Sequence, residues 1–233
     1  MIASLTIIRY KKRFIPFALM AMAAHRIPIA LQKGCTFWRL LGSGRDGGFS
    51  MKPDWQRWGL FAVWNSESDF NSFNNNSFIS KWWNALAYEK WTLLLQPNQS
   101  HGKWGGVDPF NDIEPVKNIE GPVAVLTRAR IRLGKFKAFW SSVEAVNDDL
   151  NIAPGRLTSI PIGETYHRVA TFSVWDNADN MKAFAYKPGN HADVIKRARE
   201  ENWLGEEMFT RFTIISSQGT LNGQDPLQGV GLN

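Results

Sequence analysis

The hydrophobic and polar positions of this chain form two successive series with the same order of predicted elements. Each series opens with a β-rich segment, a basic turn and a segment with helical length and apolar spacing. Two strands, a helix and a last strand follow. In the first series the six segments are SLTIIRY, RFIPFALMAMAAH, TFWRLLG, WGLFAVW, FISKWWNALAYEKW and TLLLQ. In the second series they are VAVLTRARI, KFKAFWSSVEAVNDDL, LTSIPIG, HRVATFSVW, ADVIKRAREENW and RFTIISS. Each series predicts the order βαββαβ, which is typical of a ferredoxin-like unit.

Sequence similarity between the two series indicates a duplication. FAVWNSESDFNSF at residues 61–73 recurs as FSVWDNADNMKAF at residues 172–184. HGKWGGVDPF at residues 101–110 recurs as QGTLNGQDPL at residues 218–227, with G-x-x-x-G-x-D-P in both. Two such units can pack sheet against sheet, because each sheet then covers the open face of the other.

We therefore predict an α+β fold in which two tandem ferredoxin-like units form a pseudo-symmetric α/β barrel with the helices outside. Residues 1–110 are the first repeat, residues 111–122 a linker, and residues 123–233 the second repeat. GSGRDGG at residues 42–48 is Gly-rich but opens no apolar helix, so we predict a loop rather than a phosphate site.

Composition and charge restrict the class of protein. The chain has 233 residues, of which 44% are hydrophobic and eleven are Trp, a count that fits a core around a flat apolar ligand, contact with lipid, or simply a Trp-rich core. The net charge of +6 attracts anions, but no zinc-finger, helix-turn-helix or single-strand motif predicts nucleic-acid binding. Cys35 is the single cysteine, which favours a reducing cytoplasm.

The N-terminal region raises the question of membrane contact. FIPFALMAMAA follows RYKKR, as in a signal peptide, but a predicted strand precedes both, and no apolar run reaches 18 residues. We expect a cytoplasmic protein with peripheral membrane association. The basic turn of Arg9, Lys11, Lys12 and Arg13 either lies on an anionic bilayer or is simply solvated.

His191 opens a predicted helix on its apolar side, three residues before Val194 and four before Ile195. The helix dipole at this end disfavours imidazolium, and a neutral imidazole is what a metal requires. A core histidine bonded to a carbonyl is the alternative. His167 begins a strand with a semi-polar face, as a pocket lining would. At the offset of the duplicated block His191 aligns with Ser80, so it is not a shared scaffold position.

The other candidate side chains are less specific. His25 ends a predicted helix, where it is expected to be a charged C-cap, and His101 is expected to be exposed in a Gly-rich loop. HxxxH, HExxH and HxxEH are all absent, which argues against a closed zinc site, whereas haem iron needs a single axial protein ligand. Arg128 on a predicted strand either binds an anion such as a propionate or belongs to a solvated basic edge.

Seven segments together resemble one enzyme family. They are FWRLLGSGRDGGF, WGLFAVW, EKWTLLLQP, GKWGGVDPF, GPVAVLTRARIR, IGETYHRVATFSVW and HADVIKRAREENW…EEMFTRF. They are similar to spheroidene monooxygenases, bacterial carotenoid 2-ketolases, over about residues 3 to 227. The resemblance implies the dimeric α/β barrel fold, haem b, and O2 with a reduced ferredoxin-type protein as co-substrates. It also implies hydroxylation at C2 of an acyclic carotenoid end group, first to the alcohol and then to the ketone.

The resemblance also assigns roles to residues. His191, on a helix of the second repeat, becomes the expected axial ligand of the haem iron. His167 becomes the second choice of ligand, or a distal or pocket group. Arg128 and Arg156 both become candidates for propionate pairing or for distal polarity. A homodimer is compatible with the fold type. Two alternatives remain: a haem carrier or sensor, and an aldoxime-dehydratase-like or peroxide-using haem enzyme on the same barrel.

Overall fold

The described part of the chain forms eight antiparallel strands and seven α-helices. The computed structural model describes residues 1–45, 50–111, 113–116, 119–186 and 188–232. The strands are β1 (Ile2–Tyr10), β2 (Cys35–Gly44), β3 (Pro53–Trp64), β4 (Ala87–Gly102), β5 (Val123–Ile131), β6 (Arg156–Thr165), β7 (Arg168–Trp175) and β8 (Leu204–Gly219). The helices are α1 (Ile15–Ala24), α2 (Arg26–Ala30), α3 (Glu67–Asn76), α4 (Phe78–Leu86), α5 (Phe136–Asn151), α6 (Ala178–Tyr186) and α7 (Asn190–Glu200).

The strands close into one barrel in the order β1-β3-β2-β6-β7-β5-β8-β4. Each repeat contributes four consecutive neighbours in the ferredoxin-like order, which confirms the predicted fold class. The repeats meet at two seams of unequal length. The β4–β8 seam runs from Trp91↔Gly219 to Gly102↔Met208, whereas the β2–β6 seam consists of Gly42↔Gly163 and Ser43↔Ile162 alone within the described residues.

The interior of the barrel is filled with side chains from both repeats. Inward positions of the strands alternate with outward ones, and the inward set includes the fully buried Phe61, Phe172 and Phe212. The loop after β4 inserts Trp104, whose ring stacks on Phe61 with centroids 5.6 Å apart. The loop after β8 buries Leu221 in the same core. The barrel interior is therefore a single core shared by the two repeats.

The duplicated G-x-x-x-G-x-D-P motif forms the same turn in both repeats. An isolated bridge joins Trp104 to Val107 in the first copy and Leu221 to Gln224 in the second. In both copies the aspartate of the motif accepts a hydrogen bond from the backbone amide two residues later. The distance is 3.0 Å from Asp108 Oδ1 to the nitrogen of Phe110, and 3.0 Å from Asp225 Oδ1 to the nitrogen of Leu227. The similarity of the two sequences therefore reflects a shared local structure.

Several predicted boundaries are wrong. The helix expected over residues 78–91 ends at Leu86, because Ala87 already pairs with Tyr10 of β1. Helices α3 and α6 lie where no helix was predicted; Ser66 caps α3 by accepting a hydrogen bond from the amide of Asp69 at 3.2 Å. The predicted loop at residues 42–48 begins inside β2, and residues 46–48 lie outside the described residues.

The helices cover the two halves of the barrel differently. In the first repeat α1, α2 and α4 pack directly on strands, whereas in the second repeat α5 and α7 pack mainly on each other. Within the described part of the chain, none of the helices combines the length and apolarity needed to cross a membrane. The strands of the second repeat, β5 to β8, are called here the second sheet, and those of the first repeat, β1 to β4, the first sheet. The candidate site lies on the second sheet, where the helices cover the strands less closely.

Candidate functional site

His191 lies at the start of α7, between the ends of α5 and α6. Its ring stacks at a tilt on Phe184 of α6, with centroids 4.7 Å apart, and Phe184 in turn contacts Trp175 at the end of β7 at 5.3 Å. Asp149 of α5 fixes the start of α7 by accepting hydrogen bonds from the backbone and side-chain nitrogens of Asn190 at 3.0 and 3.1 Å. The imidazole is therefore held by three helices, on the outer side of the second sheet.

The environment of His191 favours a neutral imidazole. Burial lowers the pKa of His191, and the carbonyl of Ala185 and the carboxylate of Asp149 oppose this only in part. Nδ1 is buried and has no hydrogen-bond partner within the described residues. A neutral imidazole with an unused ring nitrogen is the form that binds iron, so His191 fits the role of an axial ligand.

The pseudo-symmetry of the barrel shows that the second sheet is less covered than the first. Thr6 pairs with Leu60 and Thr127 pairs with Thr171 at corresponding outward positions of the two sheets. Thr6 and Leu60 are 2% and 1% exposed, whereas Thr127 is exposed and Thr171 is half-buried. The second face is thus accessible beneath its helices. We call this region, lined by Thr127, Thr171 and Ser173 on the sheet side, the outer slot.

A cavity of about 220 Å³ lies at the far end of the same face. It opens where the β2–β6 seam is short, and both sides of that seam line it. Its apolar lining includes Trp58, Trp140 of α5, and Val169 of β7. Asp54 and Glu164 also lie at the cavity, and each is paired with an arginine, Glu164 with Arg39 at 3.3 Å and Asp54 with Arg9 at 3.5 Å. Such an apolar cavity with few paired charges fits the end of a hydrocarbon ligand.

The structure does not bring Arg128 to His191. Arg128 is 2% exposed and points into the barrel, where it is in an ion pair with Glu206. The amides of Gly105 and Gly106 donate to the same carboxylate at 2.9 and 2.7 Å. Burial alone would raise the pKa of Glu206, but these hydrogen bonds and Arg128 hold it below its usual value. Arg128 thus already has its anion, on the opposite face of the sheet from His191.

His167 and Arg156 lie at opposite ends of the second sheet. His167 is in the β6–β7 turn, where Thr165 Oγ1 lies 3.2 Å from its Nδ1. Trp175, at the His191 end of β7, is eight residues from His167, or about 25 Å along the strand. The structure therefore does not place His167 beside His191. Its neighbours Thr165 and Val169 line the cavity. Arg156 pairs with Trp175 in register, at the same end as His191, and its Nε is buried without a partner among the described residues.

His25 is the C-cap of α1, as expected, but the expected charge is wrong, because the side chain is buried. It is 2% exposed, and burial lowers its pKa to about 4. Its ring meets those of Phe78, Trp82 and Trp83 edge-on at 6.1, 5.5 and 6.2 Å. The sequence did not reveal this contact, since the three aromatic residues come from α4, more than fifty residues away. His101 is exposed as expected, but it belongs to the end of β4 rather than to a loop.

In the parts of the chain that the structure describes, no group of three or more His, Cys, Asp or Glu side chains is placed to hold a metal ion. A metal held at His191 would therefore need most of its ligands from a cofactor, as haem iron has.

No protein-family model matches. The chain is 36% identical over 230 residues to the spheroidene monooxygenase of Rhodobacter capsulatus, covering 97% of this chain and 95% of that protein. It is 35% identical over 208 residues to the spheroidene monooxygenase of Cereibacter sphaeroides, covering 88% of this chain and 64% of that protein.

A crystal structure of aldoxime dehydratase superposes with a TM-score of 0.60 at 10% identity, covering 97% of this chain and 86% of that one. This similarity shows a shared fold, the dimeric α/β barrel. The level and extent of the sequence identity to the two spheroidene monooxygenases show that the chain belongs to the spheroidene monooxygenase family.

Proposed function

We propose that this chain is a monooxygenase that hydroxylates a carotenoid end group at C2, first to the alcohol and then to the ketone. The observation that carries the proposal is the 36% identity to the R. capsulatus spheroidene monooxygenase across nearly the whole of both chains. Each hydroxylation consumes one O2, two electrons and two protons and yields the C–OH group and water. Two hydroxylations at one carbon give a gem-diol, which loses water to form the ketone. The electrons come from a reduced ferredoxin-type protein.

We propose that His191 would hold haem b through its imidazole. Three observations support this: the lowered pKa, the Nδ1 without a hydrogen-bond partner, and the accessible face of the second sheet. Haem, when bound, would supply the reductive activation of O2 that hydroxylation requires. Arg156 is the candidate propionate partner, since it lies at the same end of the sheet and its buried Nε is unused.

The outer slot offers hydroxyl groups as proton donors. Ser173 Oγ accepts a hydrogen bond from Trp175 Nε1 at 2.9 Å, so its own proton is left for another acceptor. Thr171 lies one outward position along the same strand. We propose that these two hydroxyls, on the sheet side of the outer slot, would hold and supply the protons that hydroxylation consumes. This role replaces the one expected for His167 or Arg128, because neither lies beside His191.

The cavity at the β2–β6 seam is proposed to hold the apolar end of the carotenoid. Trp140 of α5 lines this cavity. Asp149, at the end of α5 beside His191, lies nine residues later, or about 13 Å along the helix. A chain lying along α5 would thus reach from the cavity toward the outer slot. The side chains of Trp58, Trp140 and Val169 would exclude water from it.

Expression in a carotenoid-producing host with haem supply tests the proposal. The wild-type protein is expected to show a Soret band and to add oxygen to the pigment, read as mass increases for the alcohol and the ketone. His191→Ala should lose both the Soret band and the product. His101→Ala removes an exposed histidine and should retain both. A wild-type protein with full haem occupancy and no oxygenated pigment would instead support a haem carrier or sensor.

A further inference from the structure

We propose that α1, α2 and the turn before them form a docking surface for an anionic lipid bilayer. The surface, called here the N-terminal face, consists of residues 11–33 and Phe78 beside them. Helix α1, IPFALMAMAA, has no polar side chain on any side, although a soluble surface helix normally has a polar face. Its Phe17, Leu19 and Met20 are 43%, 46% and 49% exposed.

The apolar area continues beyond α1. Ile27 and Leu31 of the α2 region are 71% and 79% exposed. Phe78 is 52% exposed, and Trp82 joins it to α1, with ring centroids 5.8 Å from Phe78 and 6.4 Å from Phe17. Phe17 and Phe78 are therefore joined through Trp82, and the other exposed apolar side chains of this region lie on α1 or at α2, the next helix along the chain. Such a concentration of exposed apolar side chains marks an interaction site.

The charges around the patch select an anionic partner. Residues 1–45 contain no Asp or Glu, and their basic residues are Arg9, Lys11, Lys12, Arg13, Arg26, Lys33, Arg39 and Arg45. Lys11, Lys12 and Arg13 are exposed at one end of α1, and Arg26 and Lys33 are exposed farther along the chain. Apolar side chains flanked by exposed cations have the composition of an interfacial membrane element, in which the apolar groups enter the bilayer and the cations contact lipid headgroups.

The second repeat lacks this combination at the equivalent helix. Helix α5, FKAFWSSVEAVNDDLN, carries Glu144, Asp148 and Asp149 and buries its apolar side, including Val143 and Val146. The contrast within one pseudo-symmetric barrel shows that the fold itself does not require an apolar outer surface on α1. The surface of α5 therefore provides an internal control for the N-terminal face.

The N-terminal face adjoins the proposed substrate cavity. Met22 of α1 lines that cavity together with Trp58 and Trp140. A bilayer in contact with α1 would therefore lie next to the cavity, and a hydrocarbon could pass from lipid to cavity without crossing water. This last step rests on the proposed function, whereas bilayer docking rests on the surface alone and can be tested without turnover.

Vesicle flotation of the purified full chain tests the docking. The wild-type protein is expected to float with vesicles of phosphatidylcholine and phosphatidylglycerol and to remain largely unbound with phosphatidylcholine alone. The triple variant Lys11→Gln, Lys12→Gln, Arg13→Gln should bind anionic vesicles on the order of 100-fold more weakly, at about fivefold per basic residue. A control with Lys137→Gln, Lys182→Gln and Lys196→Gln loses the same charge elsewhere and should change binding far less.

A second pair of variants tests the apolar contribution. Phe17→Ser, Leu19→Ser and Met20→Ser should abolish flotation, whereas Leu133→Ser and Ile152→Ser, which remove exposed apolar groups of the second repeat, should retain it. Circular dichroism melting verifies that each variant is folded. Absence of wild-type flotation with anionic vesicles, or equal binding of face and control variants, would overturn the proposal. So would a lipid-free dimer that the Ser variant converts to monomer, because a second copy of the chain would then cover the patch.

Discussion

The buried His25 makes the stability of the protein depend on pH in a calculable way. The unfolded chain takes up a proton near the ordinary pKa of 6.5, whereas the folded protein resists it until about pH 4. Since the unfolded state binds this proton more readily, the contribution of His25 to stability is fully present above pH 6.5. It falls as the pH is lowered and is lost at about pH 4. The full effect is about 3 kcal/mol, and about 2 kcal/mol is lost by pH 5.

Urea denaturation at pH 7.5, 6.0 and 5.0 measures this effect. His25→Gln cannot acquire the charge. Between pH 7.5 and 5.0, its free energy of unfolding should therefore decrease by about 2 kcal/mol less than that of the wild-type protein. The same replacement at the exposed His101 is the control and should keep the wild-type pH dependence. Parallel pH dependences for the wild type and His25→Gln would refute the reasoning, because His25 would then take up its proton equally well in the folded state.

Three further outcomes follow from the site and the barrel. Glu206→Gln should lower the free energy of unfolding by about 3 kcal/mol in urea denaturation, because Arg128 is left charged and buried. Ser173→Ala with Thr171→Val should retain the Soret band while product formation falls at least tenfold in pigment analysis. Gly102→Ala should lower the melting temperature by several degrees, since Gly102 has φ +90° and a Cβ would lie 2.1 Å from the carbonyl oxygen of Glu207.

Local sequence patterns predicted much of the fold. The segment VAVLTRARI is strand β5 from its first residue to its last, because alternate side chains face the barrel interior and the helices. The duplicated blocks predicted the two-repeat order, since equivalent positions such as Trp64 and Trp175 end equivalent strands. Helix α6 was missed because its start depends on a single cap, the hydrogen bond from the Asn180 amide to Asn177 Oδ1 at 2.8 Å.

The sequence predicted only those features of the candidate site that depend on a single helix or strand. The position of His191 at a helix start on an apolar side follows from its neighbours in sequence. The partner of Arg128 does not, because Glu206 lies 78 residues away on β8. The accessibility of Thr171 depends on how two helices pack on each other, and no local pattern encodes this. The cavity likewise depends on a seam of two residue pairs between the repeats.

Haem binding by the purified protein tests the central claim most directly. Titration with hemin should give a Soret band that saturates at one haem per chain for the wild type. His191→Gly should fail to give this spectrum and should regain it when imidazole is added, because free imidazole can occupy the vacated ligand position. His101→Gly should titrate as the wild type does. If His191→Gly binds haem with the wild-type spectrum and affinity, or if the wild-type protein takes up none, His191 is not the axial ligand.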